Sequence, residues 1–275
     1  MSQHINRTRP LAAGLAIVAA MLVFGACGED DDGGGGGGDS GPDLVNSGQL
    51  TTCTHLPYRP FQFEQGGKIV GFDVDMIDLV AKRLGVEQEI VDTPFEGIQS
   101  GEDLNARKCD IAAAAMTITP EREEKIAFSD PYFDANQALL VKKGSGIKTF
   151  DDLEGKTLGV QSGTTGKMYA EENAAPAGAE LKDYEDLALL VSSVKSGQIP
   201  AAINDIPVLL DYAKENPDTE VTATFETGEQ YGFATKKGTS QELLKVVNDV
   251  IAKAQADGTY DRLYEKWFGT KPPKN

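Results

Sequence analysis

The segment from Gly71 to Leu84, GFDVDMIDLVAKRL, constrains the fold of this chain more than any other. From Phe72 onwards its apolar residues recur at helical spacing, and its acidic residues fall on other faces of the helix. The stretch at 68–70 before it resembles a strand, so Gly71 marks a strand-to-helix junction. Taken alone, the segment could be an ordinary amphipathic helix that begins with acidic residues, which suit the N-terminal end of the helix dipole.

Strand-like and helix-like segments alternate along the rest of the chain. This alternation predicts open α/β sheets, which bind ligands at the carboxyl ends of their strands. The predicted strands lie at 50–55, 86–92, 110–116, 156–161 and 201–203, and the predicted helices at 73–84, 184–197, 206–214, 243–254 and 260–268.

The first 26 residues have the features of a signal peptide. Arg7 and Arg9 precede an uncharged apolar run at 11–24, which is shorter than the roughly 20 residues that span a membrane. The run leads into Phe24-Gly25-Ala26-Cys27, which resembles a lipobox and makes Cys27 a candidate for lipidation. A plain secretory signal is the alternative, because Phe24 stands where Leu is usual.

Residues 28–41, GEDDDGGGGGGDSG, contain six consecutive glycines and nothing apolar, which predicts a flexible linker. The N-terminal region is therefore predicted to be a signal peptide at 1–26, followed at 27–47 by the lipidated cysteine and a Gly/Asp-rich linker. Together these features predict a protein that lies outside the cytoplasm and is anchored to the cell membrane as a lipoprotein.

The chain is strongly acidic, with a formal charge of −17. Residues 1–26 contain two arginines and no acidic residue, so the predicted mature chain carries −19. This balance argues against a nucleic-acid partner, because phosphate contacts need a basic face. The two histidines, His4 and His55, form no metal-binding pattern, and no cofactor or metal is predicted.

Every position of 71–84 fits the signature of family 3 of the bacterial extracellular solute-binding proteins, and further family-like segments follow over residues 48–270 in the family's order. The chain therefore resembles the receptors that capture a polar amino acid for an ABC transporter and deliver it to the permease subunits in the membrane. The resemblance implies a two-lobed periplasmic-binding-protein fold of type II, in which two open α/β sheets are joined by two hinge strands.

The resemblance also implies where the lobes begin and end. Lobe 1 is expected at 48–132 plus 233–275, and lobe 2 at 137–229. The chain is expected to cross between them near 132–137 and 229–233. Alternation of elements alone does not predict this discontinuity.

A bound amino acid presents a carboxylate and an ammonium, and a closed cleft must supply a partner for each charge. In the segment 115–122, a Thr-Pro pair reads as the N-cap and first residue of a helix, which places Arg122 in its first turn. Taken alone, Arg122 could be a surface residue offset by neighbouring glutamates. The resemblance assigns it to the ligand carboxylate, with Thr117 contacting the amino-acid head and the carbonyl of Ala115 assisting the ammonium.

Two segments are expected to face Arg122. The turn QSGTTG at the start of a helix exposes backbone N–H groups that favour an anion. It could bind phosphate, but it lacks the Gly-Lys-Ser/Thr ending of a P-loop. The resemblance places Gln161, Thr164 and Thr165 of this turn at the ligand. It matches Asp205 to the family's ammonium-binding carboxylate, although Asp205 alone reads as the N-cap of the helix at 206–214.

Aromatic walls complete the predicted site. The resemblance places Tyr58 and Phe95 on either side of the ligand side chain, whereas Phe61 and Phe63 are expected in the core. His55 is included as a ligand-binding candidate, and it stands where relatives that bind cationic side chains often carry Asp.

Two cysteines remain once Cys27 is lipidated. In an exported protein, Cys53 and Cys109 form a candidate disulfide, because Cys53 lies in the predicted first strand and Cys109 begins a strand that could lie beside it. The alternative is a pair of buried thiols that are out of register.

An enzyme of the same fold, such as a cyclohexadienyl-type dehydratase or a peptidoglycan-lytic enzyme, is the main functional alternative. No Ser-His pair is apparent, and His55 alone offers little for acid–base catalysis. A binding protein rather than an enzyme is therefore predicted.

Overall fold

The structure is a computed structural model that describes residues 41–273. The predicted signal peptide, Cys27 and most of the predicted linker lie outside the described residues. None of the helices in the described range is both long and apolar enough to cross a membrane.

The described chain alternates short strands and helices, as the sequence predicts. Its first half contains β1 (Gln49–Thr54), β2 (Phe63–Gln65), β3 (Lys68–Val70), α1 (Phe72–Leu84), β4 (Glu87–Asp92), α2 (Phe95–Gln99), α3 (Glu102–Asn105), β5 (Ile111–Ala112), α4 (Pro120–Glu123), β6 (Ile126–Phe128) and β7 (Phe133–Lys142). Its second half contains β8 (Thr157–Gln161), α5 (Thr165–Asn173), β9 (Glu180–Tyr184), α6 (Leu187–Ser196), β10 (Ala201–Asp205), α7 (Ile206–Glu215), β11 (Thr219–Tyr231), β12 (Ala234–Lys236), α8 (Gln241–Ala256) and α9 (Thr259–Phe268).

These strands form two five-stranded sheets and one small hairpin of β2 and β3. The first sheet has the order β4-β1-β5-β12-β6, with β4, β1 and β5 parallel and β12 antiparallel to both its neighbours. The second sheet has the order β11-β7-β10-β8-β9, with β10, β8 and β9 parallel and β7 antiparallel to β10 and β11. The prediction of two open sheets is confirmed.

The chain crosses between the sheets twice, and the two crossings lie side by side. It leaves the first sheet after β6 and enters β7 at Phe133, and it returns from β11 at Tyr231 to β12. Phe133 pairs with Tyr231 in the antiparallel ladder, and the backbone N–H of Tyr132 donates to the carbonyl of Tyr231. The segments between the two sheets are 129–132 and 232–233, next to the ranges near 132–137 and 229–233 that are expected for the hinge strands.

Helix α1 begins where only glycine fits. Gly71 has φ +147°, and a Cβ on it would lie 2.0 Å from the carbonyl oxygen of Phe61. The helix ends at Gly85, which adopts the left-handed conformation that often follows a C-terminus. Its apolar face packs against α8 and α9, so these C-terminal helices lie on the same side of the molecule as the first sheet.

Two predicted elements differ from those in the structure. The strand predicted at 110–116 pairs only over Ile111–Ala112, because the chain turns at Ala115, which has φ +47°. Residues after Ala112 stay buried but leave the ladder. The helix predicted at 184–197 begins at Leu187, because Tyr184 pairs with Gln161 in the sheet and Asp186 caps the helix.

Cys53 and Cys109 form a disulfide between β1 and the loop that precedes β5. Both cysteines are buried in an apolar cluster with Phe95, Ile98 and Leu104. The disulfide therefore joins β1 to the loop between α3 and β5, and it packs in the same cluster as Phe95.

Candidate functional site

A single cavity brings together all ten predicted ligand-binding positions, which come from both sheets and their loops. Two further residues, Gln62 and Ala114, line it and were not predicted. Together, the lining residues are His55, Tyr58, Gln62, Phe95, Ala114, Ala115, Thr117, Arg122, Gln161, Thr164, Thr165 and Asp205. Of these, the residues before 130 lie on the side of the first sheet, and the last four lie on that of the second.

The cavity is narrow. The space open to the centre of a water molecule is about 20 Å³, which accommodates one or two waters and not an amino acid. The side chains around it contact one another across the two sheets. The structure therefore shows a narrow cleft whose two sides are in contact.

Arg122 is the cation of this cleft, and it is only 5 % exposed. Thr119 caps its helix by accepting from the Arg122 backbone N–H, and Pro120 occupies the first turn. The guanidinium donates to the carbonyl of Thr117 at 2.6 Å and, across the cleft, to the carbonyl of Gly163 at 2.9 Å. Arg122 is therefore buried, and the alternative of a surface arginine offset by neighbouring glutamates does not apply.

Burial lowers the pKa of Arg122 to about 10, and the nearby carboxylates of Asp205 and Glu229 oppose this shift. The guanidinium stays charged at neutral pH, but the charged form is held in a poorly solvated place. Because both of its hydrogen bonds go to neutral carbonyls, a ligand carboxylate would be a stronger partner for it.

Asp205 is the buried anion opposite, and it is 6 % exposed. It occupies the N-cap position of α7, yet its side chain makes no cap hydrogen bond. Instead its carboxylate accepts from Tyr58 at 2.6 Å, from Gln137 at 2.5 Å and from the hydroxyl of Tyr231. The alternative role as a helix cap is therefore not what the structure shows.

The pKa of Asp205 is raised to about 6, chiefly by burial and next by the charge of Glu229, while the bonds from Tyr231, Tyr58 and Gln137 oppose the rise. Tyr58 reaches Asp205 from the first-sheet side, so this bond also bridges the cleft. An anion kept in such surroundings gains from a cationic partner.

Glu229 is a second carboxylate near the cavity, and sequence reasoning named it only as a hinge limit. The hydroxyls of Thr117 and Thr165 both donate to its Oε2, at 2.9 Å and 2.6 Å. Gln137 donates to both of its oxygens. Glu229 precedes the buried Tyr231 by two residues on the same strand, so both side chains face the same side. This spacing is the sequence signal that could have placed Glu229 near the site.

Asp73 positions the turn that carries Ala115, and it was also missed. It is fully buried at the start of α1, and it accepts from the backbone N–H of Ala115 at 2.8 Å and from the hydroxyl of Tyr132 at 2.7 Å. Burial raises its pKa to about 7. Asp73 therefore connects helix α1 to the turn at Ala115 in the cleft and to Tyr132 at the first crossing.

The aromatic residues divide as expected. Tyr58 and Phe95 line the cavity, and the guanidinium carbon of Arg122 lies 5.5 Å from the centre of the Phe95 ring. Phe61 and Phe63 are buried away from it, and Phe61 packs edge-on against several aromatic rings of the core.

His55 lines the cavity with one ring nitrogen unused. Its Nδ1 lies 3.0 Å from the carbonyl oxygen of Thr93. Its Nε2 is buried and has no hydrogen-bond partner among the described residues. Such a buried polar atom at a cavity wall is what an incoming ligand can satisfy.

The geometry is that of a two-sided cleft with a buried cation on one side and a buried anion on the other. A family model for the bacterial extracellular solute-binding proteins, family 3, matches residues 50–270. The chain belongs to this family.

Similar proteins agree in sequence and in fold. The chain is 38 % identical over 231 residues to the L-cystine-binding protein TcyJ of Escherichia coli. The aligned region covers 82 % of this chain and 85 % of that protein. The solved structure of an ancestral arginine-binding protein bound to arginine matches with a TM-score of 0.76 and 42 % identity, over 81 % of this chain and 99 % of that one. The two-lobed type II fold is confirmed, and the predicted function as an amino-acid-binding receptor of an ABC transporter is supported.

One similar structure bears on the enzymatic alternative. The ancestral amino-acid-binding protein AncCDT-1, a precursor of cyclohexadienyl dehydratase, matches with a TM-score of 0.72 and 41 % identity, over 80 % of this chain and 95 % of that one. It is itself described as a binding protein.

Proposed function

We propose that this chain captures a polar amino acid between its two sheets and delivers it to the permease of an ABC transporter. Arg122 binds the ligand carboxylate and Asp205 binds the ligand ammonium. The observation that carries this proposal is the presence, in one cavity, of two buried side chains of opposite charge that come from different sheets.

The energetics favour a zwitterion. Burial moves the pKa of Arg122 down and that of Asp205 up, so each charge lacks a full partner in the cleft. A ligand with both a carboxylate and an ammonium supplies the two partners at once. A ligand with only one of the groups leaves the other charge buried and poorly paired, which costs affinity.

Ala115, Thr117, Gln161, Thr164 and Thr165 surround these two charges. Thr164 caps α5 by accepting from the backbone N–H of Lys167, and the other backbone N–H groups of this helix start are proposed as further donors for the carboxylate. The backbone N–H of Ala115 donates to Asp73, which fixes this turn, and the carbonyl of Ala115 adds an acceptor for the ammonium.

The ligand side chain lies between Tyr58 and Phe95 and reaches His55. The carbonyl of Thr93 can only accept, so Nδ1 of His55 carries a hydrogen. In the neutral imidazole, Nε2 is then an acceptor, and a ligand side chain with an N–H or O–H group satisfies it. Glutamine is therefore expected to bind more tightly than glutamate.

Opening and closing are part of the function. The lobes proposed at 48–132 plus 233–275 and at 137–229 separate about the paired crossings, which breaks the bonds from Arg122 to Gly163 and from Tyr58 to Asp205. A ligand that contacts both sides makes more contacts in the closed form and shifts the population towards it. Small-angle scattering is expected to show a smaller radius of gyration in the presence of the ligand.

The anchor proposed for this receptor is a lipidated Cys27 followed by the Gly/Asp-rich tether, on the outer side of the cell membrane. The lipobox-like sequence before Cys27 supports it. Mass spectrometry of the protein from native membranes is expected to show a diacylated N-terminal cysteine. A soluble product that begins at another residue contradicts the anchor.

The enzymatic alternative has one observation in its favour, because a buried carboxyl with a pKa of about 6, such as Asp205, suits a general acid. Binding and turnover are distinguished by a thermal-shift screen of the twenty amino acids, ornithine and citrulline, followed by product analysis. A ligand at 100 times its Kd adds about 2.7 kcal/mol of stability. A receptor shows this stabilisation and leaves its ligand and prephenate unchanged, whereas consumption of either, or no stabilisation by any amino acid, contradicts the proposal.

A further inference from the structure

Glu229 lies on β11 beside the cavity and does not line it, yet it holds two hydroxyls that do. Thr117 comes from the first-sheet side and Thr165 from the start of α5, and both donate to the same carboxylate oxygen. Gln137, which also donates to Asp205, donates to both oxygens of Glu229. Glu229 is thus part of the network around Asp205 while remaining one contact away from the ligand.

These bonds decide what the two hydroxyls can offer a ligand. An ionised carboxylate only accepts hydrogen bonds, and a threonine hydroxyl has a single hydrogen to donate. With that hydrogen on Glu229, Thr117 and Thr165 present only lone pairs to the cavity. Their oxygens lie 3.3 Å apart, so both can face one small group of the ligand.

We propose that Glu229 is a positioning residue that fixes Thr117 and Thr165 as acceptors, so that the cleft selects an α-ammonium group over an α-hydroxyl. An ammonium has three donors and no acceptor, and it can serve Asp205 and both threonines at once. A hydroxyl has one donor and leaves acceptors unpaired. This inference rests on the proposed capture of an amino acid.

A residue that only braces the hinge strand would affect every ligand equally. A residue that sets the direction of two hydrogen bonds changes the ratio between ligands. Sites built to bind an N–H or O–H group reject an analogue that lacks it by large factors, because the polar groups of the site are left unpaired. The ratio of the two affinities is therefore the quantity to measure.

The experiment uses isothermal titration calorimetry on the folded receptor at pH 7.5. The probes are the amino acid that stabilises the wild-type protein most in the thermal-shift screen and the acid in which a hydroxyl replaces its α-ammonium group; for arginine this is argininic acid. The wild type is expected to prefer the amino acid by at least about 100-fold. Glu229→Leu, which removes the acceptor and frees both hydroxyls to donate, is expected to lower this ratio at least about tenfold.

Two variants complete the design. Glu229→Gln keeps an acceptor oxygen and is expected to give a ratio between those of the wild type and Glu229→Leu. Glu226→Leu removes an exposed glutamate of the same strand, whose side chain bonds only Asn136 among the described residues, and it is expected to leave the ratio unchanged. If Glu229→Leu does not fold, Thr165→Val removes one of the two acceptors and is expected to lower the ratio in the same direction.

The outcomes separate the two proposals. A wild-type protein that binds no amino acid contradicts the proposed function, and this inference with it. A wild type that binds an amino acid, together with a Glu229→Leu variant that weakens both probes equally or neither, leaves the function standing and overturns the role of Glu229.

Discussion

The two charged sides of the cleft are built in different ways. Arg122 is placed by one short stretch of chain, in which Thr119 caps a four-residue helix and the guanidinium returns to the carbonyl of Thr117. Asp205 is held by Tyr58, Gln137 and Tyr231, which come from distant parts of the sequence. The position of the cation therefore depends mainly on local structure, whereas that of the anion depends on residues that are distant from it in the sequence.

The two charged side chains are expected to respond differently when the cleft opens. If the cleft opens as proposed, Arg122 is expected to keep its contacts within its own segment and to lose its bond to Gly163. Asp205 is then expected to lose the hydroxyl of Tyr58 and to keep Gln137 and Tyr231, which lie on strands β7 and β11 of its own sheet. Asp205 thus has its full set of hydrogen bonds only in the closed form, and the ligand ammonium is expected to be bound most tightly in that form.

The largest expected effect tests the cation. Arg122→Ala removes the only arginine that lines the cavity and is expected to reduce affinity for the amino acid by about 3–5 kcal/mol, because the ligand carboxylate is then buried without a charged partner. Calorimetry on the purified variant measures this loss.

Arg107→Ala is the matched control, because Arg107 is an exposed arginine that pairs with Asp43 away from the cleft. Its affinity is expected to equal that of the wild type. Equal affinity of Arg122→Ala and Arg107→Ala would show that Arg122 does not bind the carboxylate.

The local construction of the Arg122 side explains why it could be predicted. The Thr-Pro pair followed by Arg indicates a helix start and places the arginine in its first turn. The turn at Gln161 and the helix at Thr165 were recognised by the same kind of local signal. The open α/β sheets follow from the alternation of elements, whereas the crossings were expected only from the family resemblance.

The network around Asp205 could not be predicted in the same way. Its partners are separated from it by 147, 68 and 26 positions in the chain, and no local pattern joins them. The role of Asp73 was missed for a similar reason, since its partner Ala115 is 42 positions away and becomes visible only when the strand at 110–116 is found to stop early. Long-range side-chain hydrogen bonds need the folded structure.

An intermediate effect tests the anion through pH. The pKa of Asp205 is raised from 3.8 to about 6 in the folded protein, so its charged form is disfavoured there. A raised carboxyl pKa stabilises the fold at low pH, and this contribution, about 3 kcal/mol, is lost as the pH rises through about 6. The ligand ammonium needs the charged form, so affinity is expected to fall about tenfold between pH 7 and pH 5.

Asp205→Asn removes this titration. Its affinity is expected to be lower than that of the wild type at pH 7.5 and to change less between pH 7.5 and 5 than the wild-type affinity does. The remaining change is expected from Asp73, whose pKa is about 7. The free energy of unfolding of this variant at pH 8 is expected not to fall. Asp134→Asn, at an exposed position of β7, is expected to keep the wild-type pH profile. A pH profile that is the same in Asp205→Asn and the wild type would assign the titration to another group.

The smallest expected effect comes from the rim of the cleft, where Arg59 joins the first-sheet side to helix α7. Arg59 pairs with Asp211 at 3.3 Å and with Glu215 at 3.2 Å on α7, and its side chain is 39 % exposed. It lies over the ring of Phe63, so part of its packing is kept when the ion pairs break. Exposed ion pairs contribute little, because water screens them and long side chains lose entropy on pairing.

Arg59→Ala is therefore expected to change affinity by at most about 1 kcal/mol, and the change is expected to shrink further in 0.5 M salt. Calorimetry at two salt concentrations measures both. A loss as large as that of Arg122→Ala would mean that closure depends on the rim, and that the buried charges are not what distinguishes the two sides of the cleft.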